Sequence, residues 1–227
     1  MMTGFSEDTF SFLRQLAENN NRDWFAEHKD DYEDVVREPA FAFIEAVAPR
    51  LKEISTHFEA KASKVGGSLM RVHRDSRFSK NKTPYKTNIG IQFRHEQGKD
   101  IHAPGFYVHI EAGEAFVGVG LWHPDAEALK AIRSHIDTFS AAWIEAISGD
   151  KFSRLFHFAG DAVKTAPKGY AKDHPMIAHL KRKDFIAIAQ IAPELCLEED
   201  FAEVVVDYFK LTTPLMGELC RALRVPF

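Results

Sequence analysis

The sequence predicts an α+β fold in which an antiparallel sheet is flanked by helices from both ends of the chain. Apolar residues recur at helical spacing in the first and last parts, whereas apolar and polar residues alternate strictly in the middle. We therefore expect one domain over residues 1–227. It should have a helical part at 1–62, a sheet at 63–123, and a helical part with two further short strands at 124–227.

The first part should form three helices. Ser6 is expected to cap a helix whose apolar face begins at Phe10, and the three asparagines at 19–21 should end it. A second helix is predicted from Trp24 onward. Pro39 suits the first turn of a third helix, since proline there loses no helical hydrogen bond.

Four strands are predicted in the middle part, at residues 70–73, 89–94, 106–111 and 117–122. The short turn at 112–114 should join the last two as a hairpin. An antiparallel meander follows, with one face on the core and the other carrying polar groups.

The last part should begin with a helix capped by Asp125 that continues to about residue 147. Strands are expected at 161–166 and 185–191, with a short helix over 176–180 between them, capped by Asp173. Residues 198–223 should form one or two amphipathic helices around Thr212.

Composition sets limits on function. The chain is 45% apolar and 27% charged, which is typical of globular proteins, and its net charge of −4 disfavours general binding to polyanions or anionic membranes. Cys196 and Cys220 belong to no CxxC pair, and no apolar run is long enough for a membrane helix. We expect a cytoplasmic protein with reduced cysteines. No metal-binding or nucleotide-binding motif is present, so neither a metal nor another cofactor is predicted.

One basic segment, residues 71–86, stands out from this acidic chain. Its six cations are Arg71, Arg74, Arg77, Lys80, Lys82 and Lys86, and its single acid is Asp75. The segment therefore carries a net charge of +5 and leaves −9 for the rest of the chain. Arginine forks match the paired oxygens of phosphate or carboxylate, and lysine supplies a point charge.

The predicted ligand-binding residues follow from this composition. Ser79 and Tyr85 add hydroxyl groups, Asp75 can hold one arginine in place, and Lys168 can contact an anion from a second loop. The full predicted set is Arg71, Arg74, Asp75, Arg77, Ser79, Lys82, Tyr85, Lys86 and Lys168.

Three side chains are the candidates for proton transfer: His109, Tyr107 and Tyr85. Imidazole titrates near neutral pH, and Tyr107 and His109 share one strand face because they are two residues apart. No nucleophile–base pair is visible in the sequence, so no reaction is assigned.

Residues 74–86 read Arg-Asp-x-Arg-Phe-Ser-x-x-Lys-x-Pro-Tyr-Lys. This pattern resembles the signature of a bacterial family known only as a conserved domain of unknown function. Further stretches resemble the same family, at residues 20–25, 104–107, 118–122, 167–170 and 173–175. The resemblance runs from about residue 5 to the C-terminus, and it implies no known reaction.

Three functional readings remain open. The first is a pocket for a small anionic ligand, such as a phosphate ester or a nucleotide. The second is recognition of nucleic acid or protein through the same basic segment. In the third, the arginines organise the fold by pairing with acids elsewhere in the chain. The oligomeric state stays open.

Overall fold

The computed structural model of this chain describes residues 4–75, 77, 80–98 and 103–227, and it has the predicted α+β architecture. The helices are α1 (Glu7–Glu18), α2 (Arg22–Glu27), α3 (Lys29–Tyr32), α4 (Glu38–Ile54), α5 (Ala126–Thr138), α6 (Ser140–Ile147), α7 (Asp150–Leu155), α8 (Ile177–Leu180), α9 (Phe201–Leu211) and α10 (Thr213–Leu223). The strands are β1 (Phe58–Glu59), β2 (Asn88–His95), β3 (Gly105–Glu111), β4 (Glu114–Leu121), β5 (His157–Ala159) and β6 (Phe185–Ile191).

The six strands of the described residues form one antiparallel sheet in the order β1-β2-β3-β4-β6-β5. The predicted meander is confirmed for β2, β3 and β4, and the β3–β4 hairpin turns through Ala112 and Gly113. Gly113 has a φ of +88°, a conformation that glycine adopts without steric cost. The two later strands extend this same sheet, because β6 pairs with β4 and β5 pairs with β6.

The two faces of the sheet differ, as the alternation predicts. Every second residue is buried along β3 and β6, and the helices α4, α9 and α10 pack on the apolar face. The other face carries Gly90, Tyr107, His109 and Gly118, with Tyr107 directly opposite Gly118. A Cβ on Gly90 would lie 2.8 Å from the Tyr107 hydroxyl oxygen, so a larger residue there would displace the Tyr107 side chain.

Helices α1 and α4 begin where the sequence predicts, whereas α2 begins at Arg22, two residues before the predicted start. The Ser6 side chain accepts a hydrogen bond from the backbone N–H of Thr9, and the Thr9 hydroxyl oxygen accepts one from the backbone N–H of Ser6. The two bonds satisfy two otherwise unpaired N–H donors at the start of α1. The Asn21 side chain accepts a hydrogen bond from the backbone N–H of Trp24 and so caps α2. Pro39 lies in the first turn of α4, as expected.

The predicted strand at 70–73 is wrong. Leu69 makes an antiparallel bridge to Ile91 of β2, whereas His73 makes a bridge to Tyr85, so the backbone changes partner within the segment. The alternation was nevertheless informative about burial, because Val72 is buried between exposed neighbours. A side-chain pattern reports which residues face the core, and it does not report a continuous hydrogen-bonded ladder.

Three predictions for the last part also need correction. The strand placed at 161–166 lies at His157–Ala159, and Gly160, with a φ of +86°, follows it. The helix predicted over 125–147 is divided at Phe139, whose φ of −116° and ψ of 42° are not helical. The short helix is α8, but Met176 precedes it and no side chain caps it, so the role given to Asp173 is wrong.

Asp184 joins three elements at one end of the sheet. Its side chain is 1% exposed and accepts hydrogen bonds from the backbone N–H groups of His123 and Asp161, each at 2.8 Å. These residues follow β4 and β5, while Asp184 itself precedes β6. His123 has a φ of +52°, which is unfavourable for a residue other than glycine, and the Asp184 carboxylate offsets that cost by binding its N–H.

Both cysteines are buried and free, and burial raises the pKa of each thiol to about 12. They are therefore protonated and unreactive at neutral pH. No helix in the described ranges is both long and apolar enough to cross a membrane.

Candidate functional site

The basic segment is held in place by a short antiparallel stem. The backbone N–H of Arg74 donates to the carbonyl of Pro84, and that of Lys86 donates to the carbonyl of Val72, each at 2.8 Å. The His73–Tyr85 bridge lies between these two bonds. The stem fixes the positions of Arg71, Arg74 and Lys86 relative to one another.

Residues 20–25, here named the clamp, hold this stem in place. The side-chain oxygen of Asn20 accepts from the Tyr85 N–H at 3.0 Å, and its amide nitrogen donates to the Tyr85 carbonyl at 3.1 Å. Phe25 stacks on the Tyr85 ring with a centroid separation of 4.1 Å. These contacts explain why residues 20–25 and 74–86 belong to one site although they are distant in sequence.

Tyr85 is the stem residue that the clamp contacts. Its side chain is 6% exposed and lies among Phe25 and His73. The ring therefore stabilises the stem, and its burial leaves little room for a ligand to reach the hydroxyl.

Three cations converge at the base of the segment. Burial lowers the pKa of Lys86, and the nearby charges of Arg71 and Arg74 lower it further. Arg71 and Arg74 are exposed, and Arg74 donates a hydrogen bond to the Thr83 hydroxyl at 3.1 Å. Within the part of the chain that the structure describes, none of the three side chains forms an ion pair with an acid. In the described residues, repulsion and desolvation thus both act on Lys86, while Asp75 attracts Arg71 without forming an ion pair with it.

Arg77 differs from these three cations because Asp75 engages it. Its guanidinium donates to both carboxylate oxygens of Asp75, at 3.0 and 2.7 Å. These bonds hold the pKa of Asp75 well below its usual range. The arginine that Asp75 contacts, as expected from the sequence, is thus Arg77. Lys82 is exposed, and Ser79 lies outside the described residues.

A second group of polar side chains lies on the open face of the sheet, beside the stem. His109 Nδ1 is 3.2 Å from the side-chain nitrogen of Asn88 and 3.3 Å from the Tyr107 hydroxyl oxygen. Its Nε2 is 3.3 Å from Glu111 Oε2, and Glu111 Oε1 accepts from the Thr87 hydroxyl at 2.6 Å. Burial raises the pKa of Tyr107, so its hydroxyl stays protonated at neutral pH.

This network joins the two predicted proton-transfer residues, Tyr107 and His109, and adds three that sequence reasoning missed: Asn88, Glu111 and Thr87. The alternation of side chains along the strand could have identified these residues. Glu111 continues the alternation that places Tyr107 and His109 on one face, and Asn88 pairs with Glu111 in the β2–β3 register. Thr87 directly follows Lys86, so the network and the cations are contiguous along the chain.

Lys168 lies in a different region. It belongs to the connection between β5 and β6, at the opposite edge of the sheet from β1 and β2, near which the basic segment lies. Its neighbours Tyr170 and His174 face α5, where His174 Nε2 is 3.0 Å from an Asp137 carboxylate oxygen. In the described residues no hydrogen bond or ion pair connects Lys168 with the stem. The structure thus does not bring Lys168 to the other predicted residues.

A larger cleft in the described part of the chain lies elsewhere. It measures about 820 Å³, lies between α5 and α10, and is lined by none of the predicted site residues. Beside it, His135 Nε2 is 2.6 Å from the buried Glu218 carboxylate. By contrast, the cavity that Lys86 lines measures about 10 Å³, roughly the space of one water molecule. The three cations are therefore grouped on a surface and not around a deep pocket.

Comparison with known proteins identifies the family. No curated protein matches the chain. The family model described as "Conserved hypothetical protein (DUF2461)" matches residues 8–217. That match includes the clamp, the stem, the basic segment and the His109 network. The chain therefore belongs to the DUF2461 family of conserved hypothetical proteins.

Proposed function

We propose that this protein binds a small anion, of the phosphate ester or nucleotide class, through Arg71, Arg74 and Lys86. The observation that carries the proposal is the stem, whose two backbone hydrogen bonds hold Arg71, Arg74 and Lys86 close together. The direction of the Lys86 pKa agrees with this, because burial and the charges of the two arginines lower it. Three cations that repel one another cost stability unless a counter-charge is supplied. A bound oxyanion supplies that counter-charge.

The chemistry of the three groups suits an oxyanion. Guanidinium groups donate paired hydrogen bonds to phosphate oxygens, and a partly buried ammonium group interacts strongly with a negative charge because water screens it less. The stem, clamped by Asn20, keeps these donors together before a ligand arrives. Less conformational freedom is then lost on binding.

The structural reading of the segment has less support. If the arginines organised the fold, Arg71 and Arg74 should pair with acids elsewhere in the chain. In the described residues their contacts include no such pair, and Arg77 bonds to Asp75, two residues away. An exposed pair of this kind contributes little to stability.

Recognition of nucleic acid remains the alternative, since Arg71, Arg74, Lys80 and Lys82 are all exposed. Two properties separate it from small-anion binding. An oligonucleotide that contacts several cations binds more weakly as salt increases, with a steep logarithmic slope. The affinity for a compact phosphate held by three groups should fall less steeply with salt, and it should not increase when the phosphate belongs to a longer strand.

A thermal-melting panel tests the proposal. Phosphate, a nucleoside monophosphate and a short oligonucleotide are compared with sodium chloride at equal ionic strength. Saturation at about 100 times the Kd should stabilise the protein by ~2.7 kcal/mol, which for a chain of this length raises Tm by roughly 5–10 °C. We expect phosphate or the monophosphate to produce this rise, and chloride not to.

Each other outcome of the panel has a defined meaning. If only the oligonucleotide raised Tm, and the rise disappeared as salt increased, the basic segment would be assigned to nucleic-acid recognition. If no anion moved Tm beyond the chloride control, small-anion binding at this site would be rejected.

A further inference from the structure

Three side chains of metal-ligand type meet beside the β3–β4 hairpin: His109, Glu111 and Glu114. Their donor atoms all lie within 4.8 Å of one another. Glu111 and Glu114 are direct partners in the register, and His109 lies two residues before Glu111 on the same strand face. The spacing His-x-Glu-x-x-Glu matches no common motif, because the turn, and not a helix period, brings the third ligand to the other two.

The separation of the donors fits one metal ion. Zinc bonds to imidazole nitrogen and carboxylate oxygen at about 2.0–2.2 Å, so neighbouring ligands of a tetrahedral site lie roughly 3.4 Å apart. His109 Nε2 and Glu111 Oε2 are separated by 3.3 Å. Glu114 is exposed and can turn its carboxylate toward them. Three protein ligands leave a fourth position open for water or a ligand atom, as in catalytic zinc sites.

The contacts around the ligands orient them. A metal-bound histidine normally donates its second ring N–H, and a ligating carboxylate normally accepts a further hydrogen bond. The Tyr107 hydroxyl oxygen, 3.3 Å from His109 Nδ1, can accept the first of these bonds, and Thr87 already donates the second to Glu111. Phe116 stacks on the His109 ring at 4.5 Å and 7°, which fixes the ring plane.

A simple ion pair between protonated His109 and Glu111 accounts for less of this arrangement. Two carboxylates directly opposite each other on a hairpin repel. In the described residues the Glu114 carboxylate forms no hydrogen bond or ion pair. One imidazolium neutralises one of the two carboxylates, whereas a dication neutralises both.

We propose that His109, Glu111 and Glu114 form a binding site for a divalent transition metal of the zinc class. An imidazole ligand favours such metals over magnesium or calcium, which prefer oxygen ligands alone. When the metal binds Nε2, any proton on that nitrogen passes to solvent, and the ring proton resides on Nδ1, where the Tyr107 hydroxyl oxygen accepts it. The Asn88 side chain, whose nitrogen lies 3.2 Å from Nδ1, then turns its amide oxygen toward the ring. The site does not depend on anion binding at Arg71, Arg74 and Lys86, and it adds a cation beside that surface.

Zinc titration of the metal-free full-length chain tests this site, in a chloride buffer without phosphate so that anion binding plays no part. Calorimetry should give one equivalent of Zn²⁺, and Co²⁺ should show the absorption bands of a four-coordinate ion. His109→Gln and Glu111→Gln should lose more affinity than the roughly 10–100-fold expected for an outer contact such as Thr87→Val. Glu114→Gln, an exposed change that should not affect folding, should also weaken binding at least 10-fold.

Glu45→Gln is the matched control, because Glu45 is exposed on α4. It should bind zinc like the unmodified chain. The proposal is overturned if the unmodified chain binds no stoichiometric zinc, or if Glu111→Gln and Glu114→Gln bind it as tightly as Glu45→Gln does. Either result leaves the phosphate panel unaffected, so the two proposals fail separately.

Discussion

Replacing Asp184 with alanine is expected to lower the free energy of unfolding by about 3–5 kcal/mol. Two backbone N–H groups, of His123 and Asp161, would lose a charged and buried acceptor, and each such bond contributes roughly 1.5–3 kcal/mol. His123 would also keep its unfavourable backbone conformation without the bond that stabilises it. For a chain of this length, Tm should fall by roughly 6–20 °C. Urea unfolding measures the difference.

Asp161→Ala is the control for this change. Its side chain is exposed and lies 3.8 Å from Lys183, so its loss should change stability by less than about 0.5 kcal/mol. Asp161 keeps the backbone N–H that Asp184 binds. Equal stability of the two variants would show that Asp184 does not connect β4, β5 and β6 as the geometry indicates.

The sequence predicted the parts of the fold that local signals determine. Ser6 lies at a helix start because its side chain replaces a missing hydrogen-bond partner, and that need is visible in a few neighbouring residues. The asparagines at 19–21 were predicted only to end α1, and the cap that Asn21 forms on α2 was not predicted. The hairpin around Gly113 was predictable for the same reason. Alternation likewise identified the strands whose side chains face a core on one side only.

Long-range contacts were beyond prediction. The segment around Val72 alternates like a strand, yet its backbone partners change from β2 to residues 84–86. The role of Asp184 depends on three chain segments that meet at one end of the sheet. Neither arrangement leaves a periodic signal, because each depends on residues far away in the sequence.

For the candidate site, composition identified the basic segment but not the roles within it. Nothing in the sequence distinguishes Arg74 from Arg77, whereas the structure pairs Arg77 with Asp75 and places Arg74 near Lys86. The bonds between Asn20 and Tyr85 span 65 residues and were not foreseeable. The structure also separates Lys168 from the other residues predicted with it.

The second large expected effect is on phosphate binding, and it should differ between Arg74 and Arg77. Arg74→Ala should weaken phosphate binding by roughly 10–100-fold, because a charge-assisted hydrogen bond contributes about 1.5–3 kcal/mol. Arg77→Ala should weaken binding less than about threefold, since the Arg77 guanidinium is 76% exposed and bonded to Asp75. Calorimetric titration of phosphate compares the variants.

Stability in the absence of phosphate provides an independent check on Arg74→Ala. Removing one of three repelling cations should leave Tm unchanged or raise it, whereas loss of a structural arginine would lower it. Arg154→Ala, an exposed change on α7, is the control and should affect neither Tm nor binding. Equal losses of phosphate affinity in Arg74→Ala and Arg77→Ala would contradict the roles assigned to them.

The pKa of Lys86 tests the central claim most directly, because that claim rests on three converging cations, none of which forms an ion pair with an acid among the described residues. It can be measured by following the ¹³Cε shift of Lys86 with pH by NMR, with and without phosphate. Without phosphate, the pKa should lie below that of an exposed lysine, as burial, Arg71 and Arg74 all lower it. The protein should then gain stability as pH rises through this lowered pKa, because the unfavourable charge is lost. Phosphate should raise the pKa of Lys86, since a bound anion favours the charged form. An ordinary lysine pKa that phosphate leaves unchanged would contradict the account.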